Sequence, residues 1–474
     1  MKLPVSFEER MLKFFQENNI SSEGFFESFD SEPLKGIRIN RNKVSEEEYK
    51  DVLSDLGEEE NPVSWCDSGF YTNSESSGND SYYHSGVYYP QEPSAMLPAQ
   101  IAAAKPGEYV LDMCAAPGGK ACRLGEDLQG EGLLIANEIN ENRAKALLRN
   151  IERMGIPNAV ILNETPSRLA EVFKGFFDKI VLDVPCSGEG MFRRDPNAVK
   201  SWEKFGPDTC IPMQIDILNN ADKMLKAGGE IVYSTCTFFE GEDEERIREF
   251  IKEHPYYTII PHSEVEGITH SEEGFMRIWP HLNKGDGHFC VHLKKSEDAE
   301  VETIELDKIP SYRNKRNDNY AFSRSKDAYE SFLKEILKNT SVFKGNFILH
   351  KDKVHILPVP ERLFNGLKTV KLGLFPGEIK CTSTERLFVP SHSLALTLTR
   401  EMIREDSFIS IARDDSRLTR YLKGETIVAS PEEKAQLKKK GYIVITAGKY
   451  PLGFGKLAPD GSIKNLYPKA WRLI

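Results

Sequence analysis

The spacing of hydrophobic positions changes along the chain and divides it into regions. In the first sixty residues the spacing is helical: FEERMLKFFQENN puts four large apolar side chains on one helix face, and SEEEYKDVLSDLG predicts a second helix. Between Ser64 and Gly86 the chain is rich in Ser, Gly, Asn, Asp and Tyr, which indicates loops or short hairpins. These patterns predict a small N-terminal α+β domain over residues 1–85.

From Gly107 onward, apolar strand-like runs alternate with amphipathic helices. GEYVLDMC, GLLIANEI, NAVILNE, FDKIVLDV and GEIVYSTCT predict five strands. ENRAKALLRNIERMG and IPMQIDILNNADKMLKAGG predict helices between them, the second ending at its Gly-Gly pair. RIWPHLNKGDGHFCVHLKK predicts a closing hairpin around KGDG. This alternation predicts a doubly wound, mostly parallel α/β sheet over residues 86–296.

After Lys295 the pattern changes again. A charged stretch predicts a linker, followed by the helix DAYESFLKEILKN and by short strands between Gly and Pro turns. We therefore expect a linker and a first C-terminal module over residues 297–390. The pattern of residues 391–474 predicts helices and strands joined by turns. The whole C-terminal part is therefore predicted to form one or two small α+β or β-barrel modules.

Charge separates the C-terminal part from the rest. The chain carries a net charge of −11, yet residues 1–100 and 101–300 each carry −11 and residues 301–474 carry +11. An acidic body joined to a basic third is typical of a catalytic part with a polyanion-binding module, although ordinary variation between domains would give the same numbers.

Composition narrows the class of protein. A length of 474 residues favours two to four domains. The N-terminus lacks the apolar core of a signal peptide, and no run approaches 18 apolar residues, so we expect neither secretion nor a membrane span. None of the eight cysteines lies in a C-x-x-C pair, which argues against a zinc or disulfide framework and favours a reducing cytoplasm.

The turn after the first strand of the alternating region favours a nucleoside ligand. It reads Cys114-Ala-Ala-Pro-Gly-Gly-Lys120, whose small residues let backbone N–H groups and a helix N-terminus approach a ligand. It is neither G-x-G-x-x-G nor a Walker A loop, so a dinucleotide fits poorly. The second strand ends in Glu138, which can hold ribose hydroxyls and alone could equally be a solvated strand end. S-adenosylmethionine is a nucleoside ligand without phosphates.

Two cysteines follow neighbouring predicted strands. The fourth strand ends in Asp183-Val-Pro-Cys186 and the fifth in Tyr233-Ser-Thr-Cys236. Either cysteine alone would more often be a small buried residue. Because the carboxyl ends of parallel strands meet at one edge of a sheet, we expect both thiols at a shared site.

MCAAPGGK, DVPCSGEGMF and YSTCT, in this order, resemble the motifs of the NOL1/NOP2/Sun family of RNA 5-methylcytosine methyltransferases. YYPQEPSAM, GMFRRDPNAVKSW and RIWPHLNKGDGHF extend the resemblance over residues 85–295, and the acidic N-terminal and basic PUA-like C-terminal parts are similar to the bacterial RsmF type. Two positions depart from the family: Val184 replaces its usual Ala, and Thr165 occupies the slot of an Asp near the adenine.

The resemblance implies a class I, Rossmann-like methyltransferase that forms 5-methylcytosine in RNA, with 16S rRNA or the 30S subunit as partner. It assigns the attack on C6 to Cys236 and assistance in release to Cys186, and it places Asp183 on the cytosine N3/N4 edge as general acid or its orienting partner. Lys120 would contact Asp183 or the substrate and favour the thiolate. The target nucleotide must be unpaired or flipped out. The predicted cofactor-binding residues are Cys114, Ala115, Ala116, Pro117, Gly118, Gly119, Lys120, Glu138, Arg143, Thr165 and Asp183.

Other basic residues are candidates for RNA contacts. Arg193 and Arg194 follow the fourth strand and flank the predicted site, whereas any single charge of the C-terminal part could be an ordinary solvated one. We predict no metal and a monomer. The C-terminal candidates are Arg313, Lys315, Arg316 and the run Lys438–Lys440.

Three other functions remain possible on the sequence. The first is a methyltransferase with another target, such as adenine N6 or a protein, which would not need Cys236. An adenine N6 enzyme would also carry an Asn/Asp-Pro-Pro-aromatic motif. The same cytosine chemistry could act on tRNA or another RNA. A ribosome-assembly factor could keep the fold without catalysis, although the intact Cys186 and Cys236 argue against it.

Overall fold

The N-terminal part is a small antiparallel sheet with four helices. The computed structural model describes residues 2–73, 80–195, 197–305, 309, 319–381 and 385–473. The predicted first helix is confirmed, and it buries all four of its large apolar side chains. The three strands pair in the order β2-β1-β3. The elements are α1 (Val5–Glu17), α2 (Phe25–Ser28), β1 (Lys35–Ile39), α3 (Tyr49–Leu56), β2 (Gly69–Thr72), α4 (Ser81–His84) and β3 (Tyr88–Pro90).

The middle of the chain forms the predicted doubly wound sheet. Five parallel strands lie in the order β6-β5-β4-β7-β8, and the antiparallel β12 lies beside β8. The predicted closing hairpin is confirmed, with β11 pairing β12. The elements are α5 (Leu97–Ala102), β4 (Tyr109–Asp112), α6 (Gly119–Asp127), β5 (Leu133–Asn137), α7 (Glu141–Arg153), β6 (Ala159–Leu162), α8 (Pro166–Val172), β7 (Phe177–Asp183), α9 (Ala198–Met224), β8 (Leu225–Thr235), α10 (Glu244–Glu253), β9 (Tyr257–Ile259), β10 (Thr269–His270), β11 (Met276–Ile278) and β12 (His288–Lys295).

The order of the parallel strands locates a ligand cleft. The chain builds β4, β5 and β6 outward in one direction and then returns to place β7 on the other side of β4. In open α/β sheets, ligands bind at the carboxyl ends of the strands where the order reverses. The cleft therefore lies beyond the ends of β4 and β7.

The end of α9 differs from the prediction. The helix stops at Met224 instead of continuing to Gly228 and Gly229, and β8 starts directly at Leu225. Leu225 is fully buried and pairs with Phe177 of β7, so sheet pairing starts before the glycines. The glycine pair thus lies within the strand and not at a helix cap.

The first C-terminal module closes an edge of the central sheet. Its own strands pair in the order β13-β14-β16-β17, while β15 pairs antiparallel with β6. An uncovered strand edge invites pairing with other chains, and β15 covers this one. The elements are α11 (Asn319–Ile336), β13 (Asn346–His350), β14 (Lys353–Leu357), β15 (Thr369–Lys371), β16 (Leu374–Cys381), β17 (Arg386–Pro390) and α12 (His392–Leu396).

The last part of the chain packs against the first. Its sheet has the order β18-β20-β21-β22-β19, and buried side chains such as Tyr421 and Ile445 share a core with Ile37 and Phe70 of the N-terminal part. None of the described helices is long and apolar enough to span a bilayer. The elements are β18 (Phe408–Ile411), α13 (Ser416–Leu422), β19 (Ile427–Val428), α14 (Pro431–Gln436), β20 (Gly441–Ala447), β21 (Tyr450–Leu457) and β22 (Ser462–Asn465).

Candidate active site

The two predicted catalytic cysteines are neighbours in space. Cys186 follows β7 and Cys236 follows β8, and their sulfur atoms are 3.3 Å apart. The backbone N–H of Cys236 also donates to the sulfur of Cys186 at 3.4 Å. Both side chains are half-buried, and all eight cysteines of the chain are free thiols. The structure therefore places two reduced thiols at the carboxyl edge of the sheet.

Hydrogen bonds between the two loops hold the cysteines in place. Gly190 N–H donates to the carbonyl of Cys236 at 2.9 Å, and the hydroxyls of Ser187 and Thr237 are 2.7 Å apart. Beneath them, the buried carboxylate of Glu242 accepts from Ser187 N–H at 3.0 Å and from the Gln214 amide at 2.9 Å. The geometry of the thiol pair is thus set before any ligand arrives.

The surroundings of Cys186 favour its protonated form. The hydrogen bond with Cys236, burial and the carboxylate of Glu242 raise the pKa of Cys186 well above its ordinary value. Cys186 therefore keeps its proton at neutral pH, and its S–H can donate to the sulfur of Cys236. A protonated Cys186 is poorly suited to attack, since only a thiolate attacks, and it can instead act as a proton donor.

Asp183 is the centre of a charged cluster beside the thiols. Lys120 Nζ donates to one carboxylate oxygen at 2.8 Å, and the hydroxyl of Ser234 donates to the other at 2.9 Å. Although burial opposes ionisation, Lys120 and these hydrogen bonds hold the pKa of Asp183 below its ordinary value. Against the same cost of burial, Asp183 raises the pKa of Lys120. At neutral pH the pair is therefore a carboxylate and an ammonium.

Two residues that the sequence analysis did not select complete this cluster. His288 is buried with Nε2 3.6 Å from the carboxylate of Asp183, and burial lowers the pKa of His288 to about 3, so its ring is neutral. Asp112 ends β4, and burial raises its pKa to about 7. Among the described residues, neither of its carboxyl oxygens has a hydrogen-bond partner. His288 lies in the family stretch RIWPHLNKGDGHF, and Asp112 lies two residues before Cys114 in the strand GEYVLDMC; these positions were the signal that the sequence offered.

The turn from Cys114 to Lys120 depends on its two glycines and is held from α7. Gly118 has a φ of 120°, a conformation that favours glycine, and a Cβ on Gly119 would lie 2.9 Å from the side-chain carboxamide carbon of Gln91. Arg143 donates to the carbonyl of Ala116 at 2.7 Å, and Asn150 donates to that of Pro117 at 2.8 Å. The glycines therefore suit the turn, and α7 fixes its position.

Two further predicted cofactor residues, Glu138 and Thr165, follow β5 and β6. Glu138 is buried, accepts from Asn140 N–H at 2.8 Å and forms an ion pair with Arg143 at 3.3 Å. Cys114 is half-buried within the turn, and Ala115 N–H donates to the carbonyl of Asn137 at 2.9 Å. Thr165 is exposed, and its hydroxyl caps α8 by accepting from Arg168 N–H at 3.3 Å. The structure thus gives Thr165 a local role in α8.

The arginines expected to flank the site for RNA are instead engaged in the fold. Arg193 is buried, pairs with the buried carboxylate of Asp286 and donates to the carbonyl of Gly285 at 2.7 Å. Arg194 pairs with the same carboxylate. One buried acid thus holds both cations: Arg193, whose side chain is 4% exposed, is not available as a free phosphate contact, whereas an RNA contact of Arg194, which is 27% exposed, stays a prediction. Lys438 pairs with Glu335, and Lys439 and Lys440 are exposed. The candidates Arg313, Lys315 and Arg316 lie outside the described residues.

The sequence matches four family models that lie side by side. Residues 99–294 match the 16S rRNA methyltransferase RsmB/F, and residues 3–93 match the N-terminal domain of 16S rRNA methyltransferase RsmF. Residues 331–398 match the first C-terminal domain of RsmF, and residues 408–473 match its PUA domain. A ribosomal RNA small subunit methyltransferase F from Vibrio parahaemolyticus is 32% identical over 68% of this chain and 70% of its own.

The chain belongs to the RsmF type of the NOL1/NOP2/Sun family. The small subunit methyltransferase F of Photobacterium profundum is 29% identical over 98% of this chain and 96% of its own, so the likeness to family members extends over all parts of the chain. Among solved structures, a methyltransferase homologue from Pyrococcus horikoshii is 28% identical, with a TM-score of 0.50, over 57% of this chain and 89% of that one. The resemblance to the family is thereby confirmed, together with the Rossmann-like core and the C-terminal PUA domain.

Proposed function

We propose that this chain is an S-adenosylmethionine-dependent methyltransferase that forms 5-methylcytosine in 16S rRNA, either free or within the 30S subunit. The single observation that carries the proposal is the pair of reduced thiols, 3.3 Å apart, beside the ion pair of Asp183 and Lys120. Methylation at an exocyclic nitrogen needs neither thiol. The family match to rRNA methyltransferases supports the choice of substrate.

The residues around the glycine turn fit S-adenosylmethionine. The ligand carries an ammonium, a sulfonium and ribose hydroxyls, and the cleft offers the carboxyl groups of Asp112 and Glu138 with no phosphate-binding loop. The buried carboxyl of Asp112, without a partner among the described residues, suits a ligand donor. At the start of α6, the first backbone N–H groups have no intrahelical partner and can donate to a ligand. When bound, the cofactor supplies an electrophilic methyl group.

Cys236 begins the reaction by covalent catalysis. C5 of cytosine is a poor nucleophile, so the thiolate of Cys236 first forms a bond to C6, and the displaced electron pair makes C5 enamine-like. After C5 is methylated, a base removes the C5 proton, the electron pair of that C–H bond re-forms the C5–C6 double bond, and the bond from C6 to Cys236 breaks with its electron pair on sulfur. The S–H of Cys186, 3.3 Å from the departing sulfur, is placed to donate to it. This explains why two cysteines serve one reaction.

Asp183 and Lys120 hold the cytosine. Because Lys120 and Ser234 favour the ionised form of Asp183, its carboxylate accepts a hydrogen bond from the N4 amino group and does not act as the primary proton donor. Lys120 is the proton-bearing partner at 2.8 Å. Of the two roles considered from the sequence, orientation of the base is therefore the one proposed for Asp183.

The basic C-terminal part is proposed to hold RNA phosphates. Residues 301–474 carry a net charge of +11, and Lys439 and Lys440 are exposed in the PUA domain. Binding should weaken steeply with salt, since phosphate contacts release counterions. The enzyme would act as a monomer in the cytoplasm, where ribosomal RNA is found.

Three cysteine variants test the mechanism. Cys236→Ala should abolish transfer of labelled methyl groups to 16S rRNA while RNA binding stays normal. Cys186→Ala should accumulate a covalent RNA–protein adduct on a denaturing gel. Cys381→Ala is the matched control, because this thiol is exposed in the first C-terminal module. Transfer by Cys236→Ala, or no adduct with Cys186→Ala, would contradict the two-cysteine scheme.

The substrate is tested separately. Bisulfite mapping of rRNA from a strain that lacks this protein should reveal at least one missing 5-methylcytosine in 16S rRNA, restored by the wild-type gene. An unchanged map, with RNA binding retained, would favour a ribosome-assembly factor or another RNA substrate.

A further inference from the structure

The helix that begins in the glycine turn is held by the N-terminal domain. Residues Gly119 to Glu126 of α6 are all buried. Arg38 of β1, itself 1% exposed, donates to the carboxylate of Glu126 at 2.7 Å and to the backbone carbonyl of Gly119 at 3.2 Å. Residues seven apart lie on one face of a helix, and side chains there point back toward its N-terminus. One guanidinium therefore holds the first and last turns of α6 together.

A second contact from the same domain reaches the turn itself. The carboxamide of Gln91 accepts from Arg38 Nε at 3.4 Å and donates to the carbonyl of Ala95 at 2.9 Å. The same carboxamide lies where a side chain on Gly119 would be. Arg38 thus fixes Gly119 directly through its carbonyl and indirectly through Gln91.

Further polar contacts join the N-terminal part to the helices of the cleft. Arg123 in the middle of α6 donates to Asp67 at 2.6 and 3.1 Å and to the hydroxyl of Ser68 at 3.0 Å. Asn40, two residues after Arg38, donates to the carbonyl of Met154 at the end of α7 at 3.0 Å. Alternate residues of an extended strand point to the same face, so Arg38 and Asn40 act on α6 and α7 together.

We propose that Arg38 is a positioning residue for the cofactor site: the N-terminal domain, through Arg38, sets the position of Gly119 and of the adjacent Lys120. This inference rests on the proposed function, because it concerns the site assigned to S-adenosylmethionine. It makes the N-terminal domain a structural part of the cofactor site. A displacement of α6 by a fraction of an ångström would move the backbone N–H groups of the turn and the ammonium that faces Asp183.

The decisive variant removes the contact to Gly119 without leaving a buried charge. In the double variant Arg38→Met and Glu126→Leu, both ions are replaced by apolar side chains, a change that buried ion pairs often tolerate. Arg38→Lys is the second variant, since lysine keeps a charge opposite Glu126 and lacks the planar fork that serves two acceptors. Arg41→Ala is the matched control: Arg41 pairs with Asp127 at the end of the same helix and is 42% exposed.

The measurements are calorimetric binding of S-adenosylmethionine and of S-adenosylhomocysteine to the full chain, with steady-state kinetics on RNA. We expect the dissociation constants of both ligands to rise about tenfold to a hundredfold in the double variant and in Arg38→Lys. Losses of this size are found when a residue that orients ligand-binding groups by hydrogen bonds is replaced. The KM for the cofactor should rise in parallel, the KM for RNA should rise much less because phosphate contacts dominate RNA binding, and Arg41→Ala should behave as wild type.

Two results would overturn the inference. Cofactor affinity within twofold of wild type in either folded variant would show that Arg38 does not position the site. An equal rise of the KM for RNA would show a general loss of structure instead of a local one. Failure of the wild-type chain to bind S-adenosylmethionine is a separate outcome, because it would refute the proposed function itself and this inference with it.

Discussion

Replacing Lys120 by Met should change the pH dependence of the reaction. The ammonium lies 2.8 Å from the carboxylate of Asp183, and the two side chains are 10% and 32% exposed. A cation at this distance lowers the pKa of a carboxyl by about 1–3 units. Removal of the Lys120 cation should therefore raise the pKa of Asp183 in Lys120→Met.

The sign of the effect follows from the role of Asp183 as an acceptor. Its depressed pKa keeps it ionised through the neutral and mildly acidic range, so activity falls only when the pH drops through that low pKa. In Lys120→Met the acid limb of kcat/KM should therefore move to higher pH. At pH 7.5 the variant should also lose about tenfold to a hundredfold in kcat/KM, the value of a charge-assisted hydrogen bond at the reacting base.

The assay is methyl transfer to 16S rRNA between pH 5 and pH 9, and Lys179→Met is its control. Lys179 forms a comparable ion pair, 2.7 Å from Glu230 and 8% exposed, near the amino ends of β7 and β8. The Lys179→Met variant should be less stable than wild type but should keep the wild-type acid limb of kcat/KM. The reasoning is refuted if Lys120→Met keeps the wild-type limb, or if Lys179→Met shifts it equally.

Three further predictions concern single residues. Gly118→Ala puts a Cβ on a φ of 120° and should lower the free energy of unfolding by about 1–2 kcal/mol, measured with denaturant, and weaken cofactor binding in the calorimeter. His288→Asn should lower kcat about tenfold with little change in the KM for RNA, since the neutral ring faces Asp183 and no phosphate; an unchanged kcat would contradict this role. Glu230→Gln should cost about 2–3 kcal/mol at pH 7, and the difference from wild type should shrink as the pH falls from about 5 to about 2, because the hydrogen bond from His292 lowers the pKa of Glu230 to about 2. Denaturant unfolding across that range checks it, and a difference that does not depend on pH would contradict the assignment.

The parts of the site that the sequence predicted share one property. The glycine turn, Cys186 and Cys236 each follow a strand whose apolar run is recognisable locally, and parallel strands bring their carboxyl ends to one edge whatever lies between them. Two rules, strand identity and sheet parallelism, were therefore enough to place the thiols together. The same rules could not give the 3.3 Å separation of the sulfurs, which depends on loop contacts such as Ser187 with Thr237.

The parts that the sequence did not predict depend on partners far away along the chain. β15 joins the edge of β6 about two hundred residues after it, and its three residues carry no recognisable strand pattern. Arg38 reads as an ordinary cation on a short strand until Glu126 and Gly119 are brought against it.

Arg193 shows why charge alone misleads in the same way. Arg193 follows the strand that leads to Cys186, a position typical of a phosphate contact. Its side chain nevertheless points into the protein and pairs with Asp286, which lies nearly a hundred residues later in the chain. Burial of a carboxylate costs free energy unless a cation pairs with it. Arg193 therefore pairs with Asp286 in the fold and is not left free to bind RNA. The availability of a basic residue for RNA is thus decided by the acids that the fold buries beside it.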